Sequence, residues 1–353
     1  MRSRVSQPPA LVISLDFELQ WGVRDHSPRG SRYERNLMGA RDVIPGMLKM
    51  FEEHGVAATW ATVGFLFARS RADLDTFRPA VLPTYGNPRL FPYGEQVGNS
   101  EEDDPLHYAP SLIELIRNTP RQELATHTYS HFFCTESGQT AEQFDSDLQA
   151  ARAIAAPWGV DLRSIVFPRN QHNPAYDEVL RRNGIVAYRG NPRSWMWHFA
   201  DAVESAGRRK RAARLADTYL NITGNGAVGW DEVLQPSGLA DVRASFLVRA
   251  FKPRLRRLER LRLGRLTSAV REAARSRQII HLWWHPHNFG AYPEQCLSFL
   301  GGVMEEFVHC REEYGMEALT MAEVADAVGA VGLPSRPEAP SLSRLHVDTA
   351  VDS

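Results

Sequence analysis

The sequence has few cysteines, and they form no paired motif. Cys134, Cys296 and Cys310 are the only three in 353 residues, and no two stand at Cys-x-x-Cys spacing. An odd, scattered set argues against a disulfide scaffold and fits a reducing compartment. Cys134 lies three residues after His131 and is a candidate metal ligand or reactive thiol, although most isolated cysteines are small buried apolar groups.

Long apolar runs and a large net charge are also absent. The apolar run at residues 10–15 is too short for the core of a signal peptide or for a membrane span, so we expect a cytoplasmic protein without a transmembrane segment. The net charge is −1 and the isoelectric point is near 6.9, which argues against a general polyanion-binding protein. We expect no nucleic-acid partner.

Alternating strand and helix patterns fill much of the chain. Leu11-Val-Ile-Ser-Leu reads as a buried strand, helical spacing follows at residues 37–53, and Gly55 ends that helix before a second strand. Strand, helix, strand is a parallel crossover unit, so the sequence predicts an α/β fold. Further strands are predicted at residues 123–126, 164–168, 185–189, 279–284 and 316–319.

Two regions interrupt this alternation and are predicted to be insertions in a single domain spanning residues 10–330. Residues 68–120 are expected to cap the mouth of a barrel. Residues 191–277 are basic, with seven Lys or Arg between Lys252 and Arg265. This segment could be a solvated helix packed on the barrel, a phosphate-facing surface for a nucleotide- or lipid-linked substrate, a membrane-surface patch or a nucleic-acid surface. Residues 1–9 are predicted to be a flexible start, and residues 331–353 are predicted to be a disordered tail.

Polar, metal-competent residues follow four of the predicted strands. They are Asp16 and Glu18, His127 and His131, Arg169, and His285. The carboxyl ends of parallel strands form one face of a barrel, so these side chains should converge there. The histidine pair alone is weak evidence, but a helical turn after Thr126 would place both imidazoles on one side. Two imidazoles and one carboxylate leave a coordination position for water, as in a hydrolytic metal site.

At this point the chain resembles the polysaccharide deacetylase family of metal-dependent carbohydrate esterases. The resemblance rests on four stretches in the family's order: Ser14-Leu-Asp-Phe-Glu, His127-Thr-Tyr-Ser-His, Phe167-Pro-Arg-Asn-Gln and Trp283-Trp-His-Pro-His. The sequence departs from the family at Phe17, where the metal-binding aspartate usually stands, and Glu18 would supply that ligand instead. The residues of the last two stretches are most similar to those of a bacterial branch associated with surface-polysaccharide biosynthesis. The resemblance implies a distorted (β/α) barrel of about seven parallel strands.

The resemblance also implies the roles of individual residues. Glu18, His127 and His131 would hold one divalent ion, expected to be Zn²⁺, and Asp16 would be the general base. Arg169 would pair with Asp16. His285 would be the general acid, with His287 as the alternative. Substrate contacts are expected from Trp21, Asn170, His287 and Asn288, and Trp195 and Trp197 are candidate sugar-stacking walls, whereas His281 is expected to be a hydrogen-bonded strand residue.

The expected function is removal of an N-acyl group, in the first instance acetyl, from an amino sugar that is free, nucleotide-linked or lipid-linked. One alternative uses the same metal site for another amide or ester hydrolysis. A second is a catalytically silent sugar-binding relative. A two-histidine, one-carboxylate iron oxygenase is a weaker option, because those ligands usually sit on an antiparallel double sheet. The sequence does not predict the oligomeric state, and the basic segment leaves membrane-surface contact through residues 252–265 open.

Overall fold

The computed structural model describes residues 7–197 and 207–330, which form a parallel sheet surrounded by helices. The strand pairings are parallel, which confirms the predicted α/β class. The strands are β1 (Ala10–Phe17), β2 (Ala58–Thr62), β3 (Gln122–Thr126), β4 (Ser164–Ile165), β5 (Ala187–Tyr188), β6 (Ala240–Asp241), β7 (Phe246–Leu247), β8 (Ile279–Trp284) and β9 (Glu317–Leu319).

The sheet curls into a distorted barrel. Its strand order is β6-β5-β4-β3-β2-β1-β8-β7, with β9 paired to the start of β1. The two ends of this order, β6 and β7, are separated in the chain only by residues 242–245. Within that connection the Ala244 N–H donates to Gly190 O at 3.0 Å and the Ser245 N–H donates to His281 O at 2.8 Å. The connection therefore bridges the β5 and β8 sides, and the predicted barrel is confirmed.

Helices cover the outside of the sheet. They are α1 (Glu34–His54), α2 (Arg71–Thr76), α3 (Pro110–Asn118), α4 (Ala141–Ala155), α5 (Asp177–Arg182), α6 (Arg208–Asp217), α7 (Glu259–Arg275), α8 (Pro286–Phe289), α9 (Pro293–Tyr314) and α10 (Met321–Ala327). Helix α1 buries its apolar stripe, and Phe51 packs edge-on against Trp60 of β2 and Trp284 of β8. Gly55 ends α1 in the left-handed conformation at φ 64°, as its position in the sequence predicts.

The first insertion packs against the loop that follows β1. Leu106 O accepts the backbone N–H of Gln20 at 3.2 Å, and His107 O accepts the indole N–H of Trp21 at 2.9 Å. The insertion therefore lies at the edge where β1 delivers Asp16 and Glu18. That this region caps the barrel mouth stays a prediction. The single-domain organisation of residues 10–330 also stays a prediction.

The second insertion is more regular than the sequence predicts, because residues 207–277 contain α6, β6, β7 and α7. Two-residue strands are too short to show a period of two, so no sequence pattern marks β6 or β7. Helix α7 buries Leu266 and leaves Leu261 about half exposed, which fits a helix packed on the barrel. The predicted disordered tail and residues 1–6 of the flexible start lie outside the described residues. No helix in the described ranges is both long and apolar enough to cross a membrane.

Candidate active site

Glu18, His127 and His131 form a compact buried cluster at the carboxyl ends of β1 and β3. One carboxylate oxygen, Glu18 Oε2, lies 3.2 Å from His127 Nε2 and 3.1 Å from His131 Nε2. One potential ligand atom from each residue lies within 4.8 Å of the others. All three residues are at most 4% exposed. The structure therefore brings together the three residues that the sequence singled out as metal ligands.

The imidazoles are held in forms suited to binding a cation. His127 Nδ1 lies 2.8 Å from Val166 O, which fixes its proton there and turns the lone pair of Nε2 toward Glu18. Burial lowers the pKa of His131 to about 4, so this ring is neutral at neutral pH. Burial alone would raise the pKa of Glu18, but His285, followed by the neighbouring His127 and His131, holds it well below its ordinary value. The cluster thus offers one carboxylate and the Nε2 atoms of two imidazoles.

The histidines do not sit on a helical turn, contrary to the prediction. Residues 127–131 form a loop in which Thr128 and His131 adopt positive φ values of 63° and 59°. Such conformations cost of order 1–3 kcal/mol each for non-glycine residues and persist only where surrounding contacts enforce them. Leu19, Arg169 and Asn170 are also at positive φ, so much of the strained backbone lies in the loops that carry the site.

Asp147 of α4 supplies one of the enforcing contacts. Its carboxylate accepts the backbone N–H of Tyr129 at 2.6 Å and that of Ser130 at 3.2 Å, and it also accepts the Ser130 hydroxyl. Burial outweighs these hydrogen bonds and raises the pKa of Asp147 to about 7. No sequence signal singled out this residue, because a carboxylate inside a helix reads as an exposed position.

The raised pKa predicts a pH-dependent stability contribution from Asp147. The pKa of Asp147 in the folded protein exceeds its ordinary value of 3.8, so the protonated side chain stabilises the fold most at low pH. This stabilisation is lost as the pH rises from about 4 to 7. Wild type should lose on the order of 2–4 kcal/mol relative to Asp147→Asn over that range, measured by urea unfolding. Glu142→Gln, at an exposed position of the same helix, is the control and should keep the pH dependence of wild-type stability. A gap between wild type and Asp147→Asn that stays constant with pH would contradict the prediction.

Asp16 is paired with Arg189, not with Arg169 as predicted. The Arg189 guanidinium donates to Asp16 Oδ1 at 2.5 Å and to Asp16 Oδ2 at 2.8 Å, and both side chains are buried. It also donates to Ser14 Oγ at 3.0 Å and to Asn170 Oδ1 at 2.8 Å, and lies 4.2 Å from the Trp283 ring centroid. Burial alone would raise the pKa of Asp16, but Arg189, followed by His285, brings it below its ordinary value.

Arg169 lies on the rim of the site. Its guanidinium pairs with Asp25, in the loop after β1, and lies 4.3 Å from the centroid of the Phe133 ring. The sequence could have pointed to Arg189 by the same signal that pointed to Arg169, since each follows the apolar run of a predicted strand. Chain order alone does not tell which of the two guanidinium groups reaches Asp16.

His285 and His287 both face the carboxylates. His285 Nε2 lies 3.7 Å from Asp16 Oδ2 and 3.5 Å from Glu18 Oε1, whereas His287 Nε2 lies 4.0 Å from Glu18 Oε1. The His285 side chain is 24% exposed and that of His287 is 3% exposed. Burial, together with the neighbouring His285, lowers the pKa of His287 to about 3.

The other predicted residues divide between site and core. Asn170 contacts Arg189, and Asn288 accepts the Tyr33 hydroxyl proton at 2.8 Å beside His287. Trp21 was expected to contact the substrate but is a core residue. It is 2% exposed and its ring lies 4.2 Å from that of Phe65, so neither ring face is open to a sugar.

Three further residues have clear positions. His281 is a buried strand residue hydrogen-bonded to Val242 O and Ser14 Oγ, each at 2.8 Å, as predicted. Cys134 is fully buried and burial raises the pKa of its thiol, which fits a packed apolar group. Trp195 is 59% exposed.

Comparisons with known proteins bear on the fold. No family model and no curated protein matches the sequence. Among solved structures, the chain is similar to a Mycobacterium smegmatis protein assigned as a polysaccharide deacetylase, with 13% identity, a TM-score of 0.56, and coverage of 96% of this chain and 98% of that one. A family 4 carbohydrate esterase from Streptomyces lividans in complex with acetate has 12% identity and a TM-score of 0.36, with coverage of 88% and 90%. A family 4 pseudoenzyme from Bacillus anthracis has 11% identity and a TM-score of 0.40, with coverage of 91% and 66%. The first of these similarities shows that the chain has a polysaccharide deacetylase-like fold, as its motifs imply.

Proposed function

We propose that the protein is a metal-dependent hydrolase that removes an N-acyl group, in the first instance acetyl, from an amino sugar. The observation that carries the proposal is the Glu18, His127 and His131 cluster lying beside an arginine-paired carboxylate, Asp16. The deacetylase-like fold supports the same reaction class. The sugar is proposed to belong to polysaccharide or glycoconjugate biosynthesis.

The cluster fits a divalent ion by its chemistry. One carboxylate and two neutral imidazoles form a common ligand set of hydrolytic zinc sites, and the His127 proton bonded to Val166 O leaves Nε2 free to coordinate. Glu18, His127 and His131 would hold the ion, with Zn²⁺ as the expected metal. When bound, the ion would polarise the acyl carbonyl and lower the pKa of a water molecule.

Asp16 is proposed to accept the proton of the attacking water. A general base must be ionised at the working pH, and Arg189 keeps Asp16 ionised despite its burial. Arg189 also fixes the direction of the carboxylate, because both of its oxygens are engaged by one planar guanidinium.

His285 is proposed to donate a proton to the leaving amine nitrogen. An amide needs such an acid, since an unprotonated amine leaves poorly. His285 is the partly exposed member of the pair and reaches toward both carboxylates. His287 has a pKa lowered to about 3 and would carry no proton to give at neutral pH. We therefore assign it, with Asn170 and Asn288, to substrate contact.

Asp16→Asn tests the proposal. It should lower the rate of deacetylation of an N-acetyl amino sugar by about 10²–10⁴-fold, because the amide cannot take up the proton, while the metal content stays that of wild type. The assay follows acetate release by metal-loaded protein. Asp42→Asn, on α1, is the control and should keep wild-type turnover. Full activity of the Asp16→Asn protein would refute the proposed function.

A substrate panel separates the remaining alternatives. Hydrolysis of O-acetyl esters or cyclic amides without attack on N-acetyl sugars would assign another reaction to the same residues. A protein that binds sugar but hydrolyses none of these compounds would be a silent relative, the option raised by the missing aspartate at Phe17.

Gly22 should be required for the position of Glu18. A Cβ at residue 22 would overlap the carboxyl group of Glu18, so Gly22→Ala must push that carboxylate away from the two histidines. We expect at least a tenfold loss of metal affinity with the fold retained, measured by metal analysis and circular dichroism. Gly94→Ala is the matched control, because a Cβ there meets no atom within 4 Å. Wild-type metal content in Gly22→Ala would show that Glu18 is not a ligand.

A further inference from the structure

A cavity lined by four arginines lies between α6, β7 and α7, outside the proposed chemistry. About 520 Å³ of space, including the opening to solvent, is not filled by atoms. The arginines are Arg214, Arg249, Arg262 and Arg265, and among the described residues that line the cavity only Asp217 is acidic. The described lining therefore carries an excess of positive charge.

Glu259 pairs with Arg262 and compensates its charge, and Asp217 compensates the remaining charge only in part. Asp217 Oδ1 accepts the backbone N–H groups of Ile222 at 3.1 Å and Thr223 at 2.9 Å, and lies 3.9 Å from the Arg265 guanidinium. Burial lowers the pKa of Arg249, and the positive charge of Arg214 lowers it further. Like charges are thus crowded together in a partly desolvated space, which favours binding of an anion.

Two of the arginines also hold unsatisfied donors. Arg262 and Arg265 are 3% and 9% exposed, and in the described part of the chain the Nε atom of each has no hydrogen-bond partner. A buried N–H without a partner costs free energy, and native structures rarely leave one without an external ligand or water.

The guanidinium groups are held in place by aromatic rings. Arg262 lies 3.8 Å from the Phe299 ring centroid and Arg265 lies 4.8 Å from that of Phe246. Arg249 is fixed separately, since its Nε donates to Thr218 Oγ1 at 3.0 Å. Planar guanidinium groups match the geometry of phosphate oxygens. The Nη groups of Arg262 already donate to Arg249 O and Glu259, and one Nη group of Arg265 donates to Gly224 O, so Arg249 and the other donors of Arg265 are the groups proposed to meet the phosphate.

The cavity is close to the proposed catalytic residues. Trp197 lines it, and the Trp197 ring lies 5.8 Å from the ring of Trp283. The Trp283 ring in turn lies 5.9 Å from that of His285. Two successive ring contacts therefore join the lining of the cavity to the proposed general acid.

We propose that this arginine cavity binds the phosphate groups of a phosphate-bearing amino-sugar substrate, an inference that rests on the proposed function. The shared chemistry is a diphosphate joined to the sugar, which a nucleotide or a polyprenyl lipid could carry.

Calorimetric titration with inorganic phosphate tests the site without reference to turnover. Metal-loaded wild type and His131→Ala protein should bind phosphate equally, because the cavity does not include the metal cluster. Arg249→Gln and Arg265→Gln should each weaken binding by about tenfold or more. Arg257→Gln removes an exposed arginine of the same basic segment outside the cavity and should stay within about twofold of wild type.

Other results of this titration would overturn the site. Phosphate binding that is lost in His131→Ala but kept in both arginine variants would place the anion at the metal cluster. Arg249→Lys keeps the positive charge and replaces the glutamine variant if that variant fails to fold. Its phosphate affinity should lie between that of wild type and that of a site without the charge. If Arg249→Lys and Arg265→Lys both fold and both bind phosphate with wild-type affinity, the proposal is overturned, since the planar guanidinium groups would then be dispensable.

Turnover of three substrates tests the link to the sugar. We compare kcat/KM for a free N-acetyl amino sugar, its nucleotide diphosphate form and its polyprenyl diphosphate form. One diphosphate form should exceed the free sugar by about 10²-fold or more, and it identifies the carrier. Arg249→Gln should lower that ratio at least tenfold, whereas Arg257→Gln should keep it. Equal turnover of all three would overturn the inference and leave the proposed function standing. No turnover of any of them, with phosphate binding retained, would overturn the proposed function and support the anion site alone.

Discussion

Glu18→Gln should abolish metal retention and lower deacetylation by about three orders of magnitude or more. Glu18 is the only carboxylate in the cluster, and its Oε2 lies 3.2 Å and 3.1 Å from the two imidazole nitrogens. Glutamine has the same size but no charge, so the ligand set would lose its anion and keep only neutral donors. The metal content of the purified chain and kcat/KM on an N-acetyl amino sugar measure the two effects.

Glu52→Gln provides the matched control, because Glu52 is an exposed carboxylate on α1. It should retain wild-type metal content and turnover. A Glu18→Gln protein that holds one ion per chain and hydrolyses the sugar normally would remove Glu18 from the site. Wild-type protein that holds one ion and turns over no N-acyl sugar would instead favour the silent relative.

The position of Glu18 follows from strand geometry. Side chains alternate along a strand, so residues 16 and 18 share one side and residue 17 faces the other. Phe17 is buried at 1% exposure and packs edge-on against Trp60, while Asp16 and Glu18 both lie near His285. A carboxylate at position 17 would point into that apolar packing. Glu18, two residues after Asp16, is therefore the acidic residue that can join it in the site.

The longer strands and helices could be predicted because burial leaves a pattern in the sequence. Strand β8 is six consecutive buried residues and was predicted with its exact bounds, and α1 shows its apolar stripe at helical spacing. Strands β4 and β5 lie inside the predicted runs at residues 164–168 and 185–189, whereas β6 and β7 have two residues each and no apolar run that marks them. Their place in the sheet is set by pairing with neighbours far away in the chain, such as Ala187 with Ala240.

The site shows the same division between local and distant information. Strand ends identified Asp16, Glu18, His127, His131 and His285, because parallel strands gather such residues at one face. Pairing within the face was harder to predict. Arg169 follows a strand in a Pro168–Asn170 turn with positive φ at residues 169 and 170, and its side chain meets Asp25 instead of Asp16. Asp147 was missed because its partners are backbone N–H groups of another loop.

Arg189→Met should destabilise the protein by about 3–5 kcal/mol at neutral pH. Both partners of the Arg189–Asp16 pair are buried, so removal of the guanidinium leaves an unpaired carboxylate in an apolar environment. Burial would then raise the pKa of Asp16, whereas in wild type Arg189 and His285 hold it below its ordinary value. Urea unfolding at pH 5 and pH 8 measures the loss. The wild type keeps this contribution above pH 4, while the variant loses stability as the pH rises, so the gap should be larger at pH 8.

The same substitution should move the pH profile of catalysis. If Asp16 is the general base, the acid limb of kcat/KM should shift to higher pH in Arg189→Met, because a larger fraction of Asp16 is protonated. Arg163→Met is the matched control: Arg163 makes a two-point pair with Asp326 in which the side chains are 36% and 56% exposed. Its loss should cost no more than about 1 kcal/mol, because solvent screens an exposed pair, and should leave the acid limb in place. Equal unfolding free energies for the two variants would show that the buried pair does not stabilise the fold, and an unmoved acid limb in Arg189→Met would show that the proton acceptor is a group other than Asp16.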